Sequence, residues 1–203
     1  MTTKNSDLRA LFDKANAARQ ELVSALRSES HAMDTSGYTF SEGDQQVSLR
    51  DLFGEQKDLI VVHNMGRSCV YCTLWADGLN GLLSHLKSRS AIVLMNGDSV
   101  DQQREFAESR NWKFRMISDA EGSFTEAMGF ATIANGKRSL MPGYSTFHRE
   151  EDGTVVRVAS DFFGPGDVYM PLFPMFDLLK DGLDGWKAQY SYPKPLSKDL
   201  SQG

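Results

Sequence analysis

Apolar side chains recur along this chain with two different periods, and these periods predict helices and strands. Residues 6–28 carry apolar side chains three or four positions apart with charged residues between them, which predicts an amphipathic helix capped by Ser6 or Asp7. Residues 59–63 and 91–95 are short apolar runs rich in β-branched side chains, as expected for strands buried on both faces. Shorter elements are predicted as strands at 38–40, 46–48 and 114–117, a helical turn at 48–54, and helices at 69–87, 99–109 and 123–128.

The last third of the chain predicts a hairpin and a closing helix. Residues 144–148 and 154–159 are joined through Asp152-Gly153, a pair typical of hairpin turns because glycine accepts a positive φ. Residues 168–183 are helical in part, with Pro171 and Pro174 in the first turn or at a break. Two buried strands separated by helices, followed by this hairpin and helix, predict an α/β fold with three layers, α/β/α, around a central mixed sheet.

The length of the chain limits the number of domains, and its net charge limits the kinds of binding partner. The chain has 203 residues, of which 22 are basic and 27 acidic, so 22 − 27 gives a net charge of −5. We expect an N-terminal helical arm over 1–35, one domain over 36–185 and a surface tail over 186–203. The helix of the arm is predicted to pack across the domain or to form a homodimer seam. The acidic balance argues against a nucleic-acid partner.

Neither a membrane span nor export is expected. The longest uninterrupted hydrophobic run is 91–95, whereas a helix needs about 20 apolar residues to cross a bilayer. The first residues lack the apolar stretch of a secretory signal. With two cysteines only, the chain is not a disulfide scaffold, and we expect a reducing, cytoplasmic location.

Both cysteines lie in Cys69-Val-Tyr-Cys72, directly after the first buried strand and at the start of a predicted helix. Free N–H groups and the helix dipole stabilise a thiolate at such a position, so Cys69 is the candidate nucleophile. Cys72 follows one turn later and is the candidate resolving thiol, because it can attack a mixed disulfide formed by Cys69. Arg67, two residues upstream, is expected to lower the pKa of Cys69 further.

Two other interpretations of the cysteines remain open. A structural zinc site needs four ligands, and the chain offers one cysteine pair and four histidines that are not spaced as ligands, so we predict no metal and no cofactor. Alternatively, both cysteines are unreactive core residues, since free cysteine is often simply buried.

The segment Cys69-x-x-Cys72-Thr-Leu-Trp75-Ala-Asp77-Gly78-x-Asn80-Gly81 resembles the thioredoxin-like superfamily, and specifically its uncharacterised branch catalogued as domain of unknown function eight-nine-nine. The resemblance extends over about residues 38–183 and implies a thioredoxin-like fold with an extra N-terminal helix. Members of the superfamily usually place a cis-proline opposite the cysteines, and Pro142 lies at that place. They also place a buried acid six residues before the first cysteine, where this chain has His63 as a candidate proton acceptor for Cys72.

Departures from related families leave three functions to distinguish. The first is a thiol-disulfide oxidoreductase acting on protein or small-molecule disulfides and thiols, with a separate thiol reductant. Val70-Tyr71 replaces the Gly-Pro of thioredoxin, which places the aromatic Tyr71 at the mouth of the site. The second is a thiol peroxidase, although Val62 and Gly66 stand where peroxiredoxins have proline and threonine. The third is a non-catalytic binding module in which the N-terminal helix is a dimer arm.

Overall fold

A computed structural model describes residues 3–193, and the side chains of residues 7–193. The strands are β1 (His31–Met33), β2 (Thr39–Glu42), β3 (Gln45–Ser48), β4 (Asp58–His63), β5 (Ala91–Asn96), β6 (Arg115–Ser118), β7 (Ala131–Ala134), β8 (Lys137–Leu140), β9 (Gly143–Arg149) and β10 (Val155–Phe162). The helices are α1 (Thr3–Ser28), α2 (Val70–Gly81), α3 (Leu83–Lys87), α4 (Val100–Arg110), α5 (Ser123–Ala127) and α6 (Leu172–Asp177), with a 3₁₀ turn at Asp51–Phe53.

Eight strands form one mixed sheet in the order β1-β10-β9-β4-β5-β6-β2-β3, and β7 and β8 form a separate hairpin. The three strands β4, β5 and β6 are parallel, and α2 with α3, and then α4, form the crossovers between them. On its other side β4 pairs antiparallel with β9. This order places the carboxyl end of β4, and the start of the helix that follows it, in the middle of the sheet.

Two apolar layers enclose the sheet, because successive side chains of a strand point to opposite faces. On one face Val62 packs with Trp75 of α2 and Phe173 of α6. On the other face Val61 packs with Phe124 of α5. The structure therefore confirms the predicted three-layer α/β/α architecture with a central mixed sheet and an additional N-terminal helix.

Most predicted elements are confirmed, and the differences lie in short segments. The helix predicted over 69–87 is divided at Leu82 into α2 and α3. Strand β1 and the β7–β8 hairpin were not predicted. The hairpin turns through Asn135 and Gly136, whose φ angles of 53° and 73° are those of a type I′ turn, so the Asn-Gly pair was the available signal.

The two ends of the described chain differ in their packing. In α1 every residue from 7 to 25 is exposed, and Leu26 is half-buried. Strand β1, inside the predicted arm, extends the sheet by pairing with β10. In the predicted tail, the ring of Trp186 packs 5.2 Å from that of Phe176, and residues 194–203 lie outside the described residues. No helix of the described part is long and apolar enough to cross a membrane.

Candidate active site

The two cysteines lie at the first turn of α2, with their sulfur atoms bonded as a disulfide and their Cα atoms 5.2 Å apart. Cys69 is the N-cap residue and is half-buried, whereas Cys72 is 2 % exposed. The backbone N–H of Cys72 donates a hydrogen bond to Cys69 Sγ at 3.1 Å. A reduced Cys69 would therefore have its thiolate at a donor N–H and at the positive end of the helix dipole. The outer sulfur belongs to Cys69 and the inner one to Cys72, as predicted.

Two side chains that were not predicted hold the loop before Cys69. Asn64 Oδ1 accepts a hydrogen bond from Gly66 N at 2.8 Å, and Asp98 Oδ2 accepts one from Arg67 N at 2.7 Å. Asn64 directly follows β4, and Asp98 lies two residues beyond β5. The available signal was their place in the sequence, because the carboxyl ends of parallel strands are where α/β proteins build their sites.

A side chain at Gly66 would be strained by the backbone and crowded by Asp98. Its φ is +96°, and a Cβ atom there would lie 3.0 Å from Asp98 Oδ1. Asp98 thus occupies the space beside the backbone at the position where peroxiredoxins have threonine. The hydroxyl that would orient a peroxide in those enzymes has no counterpart at this position.

Arg67 is exposed, and its backbone is held on both sides. Its N–H donates to Asp98, and its carbonyl oxygen accepts a hydrogen bond from the Tyr190 hydroxyl at 3.0 Å. Arg110 in turn donates to the carbonyl oxygen of Tyr190. The segment after α6 therefore contacts the loop that leads to Cys69. The effect of the Arg67 side chain on the pKa of Cys69 stays a prediction.

An open cleft of about 480 Å³ adjoins the outer sulfur. It is lined by Met65, Ser68, Cys69, Val70, Tyr71 and Leu140. Tyr71 is half-buried with its ring 6.0 Å from that of Trp75, so the aromatic surface expected at the mouth of the site is present. Leu140 is the last residue of β8, and through it the β7–β8 hairpin forms one wall. The walls around Cys69 are mostly apolar, and the hydroxyl groups of Ser68 and Tyr71 are their polar side-chain groups.

The cis-proline expectation is wrong, because the Met141–Pro142 peptide bond is trans. Hydrogen bonds on both sides of the bond keep the chain extended here: Met141 N donates to Phe130 O and Phe163 N donates to Pro142 O, each at 2.9 Å. Pro142 is half-buried, directly precedes β9, and is not among the residues that line the cleft. Leu140, two residues earlier, takes that place.

His63 ends β4 and is 2 % exposed. Its Nε2 lies 2.9 Å from Ser145 Oγ, its ring stacks 3.9 Å from that of Phe130, and its Nδ1 has no partner among the described residues. Burial, together with the positive charge of Arg157, lowers the pKa of His63 from 6.5 to about 3, so the ring is neutral. The structure directs its hydrogen bond to β9 and not to a cysteine. The role as proton acceptor for Cys72 stays a prediction.

The polar residues of the Trp-Ala-Asp-Gly segment join α2 to the turn after α4. Asp77 accepts hydrogen bonds from Arg110 and, at 2.7 Å, from Trp112 Nε1. Asn80 Oδ1 accepts one from Lys113 N at 2.7 Å. This segment positions the helix that carries the cysteines and does not line the cleft. Among the described residues, no group of three or more His, Cys, Asp or Glu side chains is arranged to hold a metal ion.

A mixed sheet with a Cys-x-x-Cys pair at the start of the helix after its central strand defines a thioredoxin-like protein. The solved structures that it resembles include peroxiredoxins. Peroxiredoxin Q from Xanthomonas campestris is 24 % identical with a TM-score of 0.50, and the match covers 63 % of this chain and 81 % of that one. Peroxidoxin BcpB from Mycobacterium tuberculosis is 22 % identical with a TM-score of 0.50, and the match covers 63 % of this chain and 85 % of that one. Reduced Prx3 from Vibrio vulnificus, in complex with hydrogen peroxide, is 17 % identical with a TM-score of 0.50, and the match covers 68 % of this chain and 85 % of that one.

The chain belongs to the DUF899 family of bacterial proteins of unknown function, whose match spans residues 3–194. No curated protein matches this sequence. The family is the one that the Cys69–Gly81 segment resembles, and the match also includes helix α1.

Proposed function

We propose that this protein is a thiol-disulfide oxidoreductase that uses the Cys69–Cys72 pair. The observation that carries the proposal is the arrangement of the two sulfurs at the start of α2, one facing an open cleft and the other buried. The Cα atoms of the two cysteines are 5.2 Å apart, which is within the range that a disulfide requires. A half-buried outer thiol with a donor N–H beside it is suited to attack, and a buried inner thiol is suited to resolution.

The reaction balances over two thiol exchanges. The Cys69 thiolate attacks one sulfur of a substrate disulfide, a mixed disulfide forms, and one substrate thiolate leaves. Cys72 then attacks Cys69 Sγ, its proton passes to solvent or to a departing thiolate, and the second substrate thiolate is released. The substrate gains two electrons and the protein loses two, as the Cys69–Cys72 disulfide. A separate thiol donor, in a reducing compartment such as the cytoplasm, returns the two electrons.

A redox titration against glutathione tests the proposal. We expect Cys69 and Cys72 to interconvert as one two-electron couple, with a potential inside the range of about −270 to −120 mV of known dithiol exchangers. Thiols alkylated at each poise are counted by mass spectrometry. A pair that forms no disulfide at any poise would contradict the mechanism.

Variants of the two cysteines distinguish their roles. Cys72→Ser is expected to accumulate a mixed disulfide between Cys69 and one glutathione, because the resolving sulfur is missing. Cys69→Ser is expected to form no such adduct, since Cys72 is buried, and it serves as the matched control. If both variants form the adduct equally, the assignment of an outer and an inner sulfur is wrong.

A thiol peroxidase is the second candidate, supported by the likeness of the fold to peroxiredoxins, one of them in complex with hydrogen peroxide. Cys69 would take one oxygen atom from a peroxide to become a sulfenic acid, and Cys72 would close the disulfide with loss of water. The Asp98 carboxylate beside Gly66 weighs against this chemistry. Oxidation of the reduced protein by hydrogen peroxide, faster than that of free cysteine by orders of magnitude, would favour it over disulfide exchange.

A further inference from the structure

Helix α1 has an apolar stripe that nothing in the described chain covers. Leu11 is 63 % exposed, Leu8 and Leu22 are each more than half exposed, and residues 7–25 are exposed throughout. A helix in water gains most of its stability from packing an apolar face rather than from the propensity of its residues. A helix of 26 residues, about 39 Å long, therefore needs a partner surface.

The spacing of the apolar residues in the stripe indicates what kind of partner surface would cover it. Its members alternate at intervals of three and four residues: Leu8, Leu11, Ala15, Ala18, Leu22 and Ala25. That is a period of 3.5, which is typical of a helix that pairs along its length with another helix. Leu26, beside this stripe, is half-buried and shares a small cavity with Arg157 of β10. The edge next to Leu26 thus faces the protein's own sheet, and the stripe itself remains free.

We propose that α1 pairs with α1 of a second copy of this chain, as an antiparallel two-helix interface with a two-fold axis at its centre. The register sets Leu11 opposite Leu22 of the second copy and Ala15 opposite Ala18. At each end Leu8 lies against Ala25, so a large side chain meets a small one. The alanines at the centre allow the two backbones to approach closely.

The charges beside the stripe select the antiparallel orientation. Lys14 and Glu21 occupy the same edge of the stripe, one heptad apart. In the antiparallel register Lys14 lies next to Glu21 of the second copy, and the two-fold symmetry makes this contact twice. In a parallel pair Lys14 would instead lie next to Arg19, a repulsive contact made twice. Flanking charges of this kind set the orientation of paired helices.

Sedimentation equilibrium and light scattering on the full chain test the pairing. The wild type is expected to be a dimer, and Leu11→Gln/Leu22→Gln to raise the dissociation constant at least a hundredfold. Val23→Gln is the matched control, because Val23 is also an exposed apolar residue of α1 but lies outside the stripe. A monomeric wild type, a double variant that stays dimeric, or a control that dissociates to the same extent would each overturn the proposal.

Charge reversal tests the orientation. Lys14→Glu is expected to weaken the dimer about tenfold, and the double variant Lys14→Glu/Glu21→Lys to restore it. Tighter association of Lys14→Glu would indicate a parallel pair and overturn the antiparallel register. Far-UV circular dichroism of each variant reports whether α1 remains helical. The result is independent of the dithiol chemistry, because no residue of α1 lines the cleft at Cys69.

Discussion

His63 is a buried, neutral imidazole at the carboxyl end of the central strand, and its protonation is linked to folding. In the folded protein its pKa is about 3, and in the unfolded chain it is near 6.5. Between these two values the unfolded state binds a proton that the folded state does not. Because the unfolded state alone gains this proton, the free energy of unfolding decreases as the pH falls from about 6.5 towards 3. The decrease is at most about 1.4 kcal/mol per pH unit, and above pH 6.5 the stability is not reduced in this way.

Replacing His63 by glutamine is expected to flatten that pH dependence. The amide can still pair with Ser145 but takes up no proton, so the free energy of unfolding of His63→Gln should decrease less than that of the wild type between pH 7 and about pH 4.5. Urea denaturation at several pH values measures this. His85→Gln is the control, because His85 lies exposed on α3. Equal slopes for His63→Gln and the wild type would contradict the assignment of His63 as a neutral buried group.

At the scale of secondary-structure elements, the orientation of α2 depends on its contacts with the turn after α4. Asp77 is the centre of this contact, because its carboxylate accepts from both Arg110 and the Trp112 indole. The ion pair is about one third exposed at Asp77 and one quarter at Arg110. Neither Asp77 nor Arg110 lines the cleft at Cys69, so this ion pair affects the candidate site through the position of α2.

Asp77→Ala is expected to lower the free energy of unfolding by about 2 kcal/mol, because it leaves the Arg110 guanidinium and the Trp112 N–H without their acceptor. Thermal or urea unfolding measures the change. Asp101→Ala is the matched control, since Asp101 pairs with Arg104 at the exposed start of α4 and should cost about 0.5 kcal/mol. A loss no larger than that of the control would show that Asp77 does not anchor α2.

Periodicity predicts the long elements and misses the short ones for a physical reason. Helix α1 and the strands β4 and β5 repeat their pattern over enough residues to be recognised. Strand β1 has three residues, and every residue of β8 is exposed, so neither carries an apolar alternation. The division of the long helix at Leu82 was not predicted either, although Gly78 and Gly81 already made the segment unusual for a helix.

At the scale of the whole molecule, the segment that follows α6 (residues 178–193) contacts the loop of the candidate site. The Tyr190 hydroxyl donates to the Arg67 carbonyl, so a residue near the end of the described chain contacts the loop before Cys69. Contacts between such distant positions have no local pattern. The cysteine pair could be predicted because its two residues are three positions apart in the sequence. The hydrogen bonds of Asp98 with Arg67 and of Ser145 with His63 could not, because each joins residues that are far apart in the sequence.

Tyr190→Phe is expected to loosen that loop without unfolding the protein. Loss of one partly exposed hydrogen bond should raise the amide exchange rates of residues 66–68 about threefold. Hydrogen exchange followed by mass spectrometry measures the rates. Tyr192→Phe is the control, because the Tyr192 hydroxyl pairs only with the nearby Gln189 N–H among the described contacts. Unchanged exchange in Tyr190→Phe would mean that the contact does not restrain the loop.

The pairing of β4 with β9 has a consequence for how the chain is made. The two strands meet through residues such as Val61 and Ser145, so β4 leaves the ribosome long before its antiparallel partner exists. At about 5–20 residues per second, the interval amounts to several seconds. During synthesis one edge of β4 remains unpaired until β9 emerges, whereas the β2–β3 hairpin and the parallel β4–β5 pair of the same sheet can form earlier. We therefore expect folding to be completed only after β9 has emerged, and to be slow for a domain of this size.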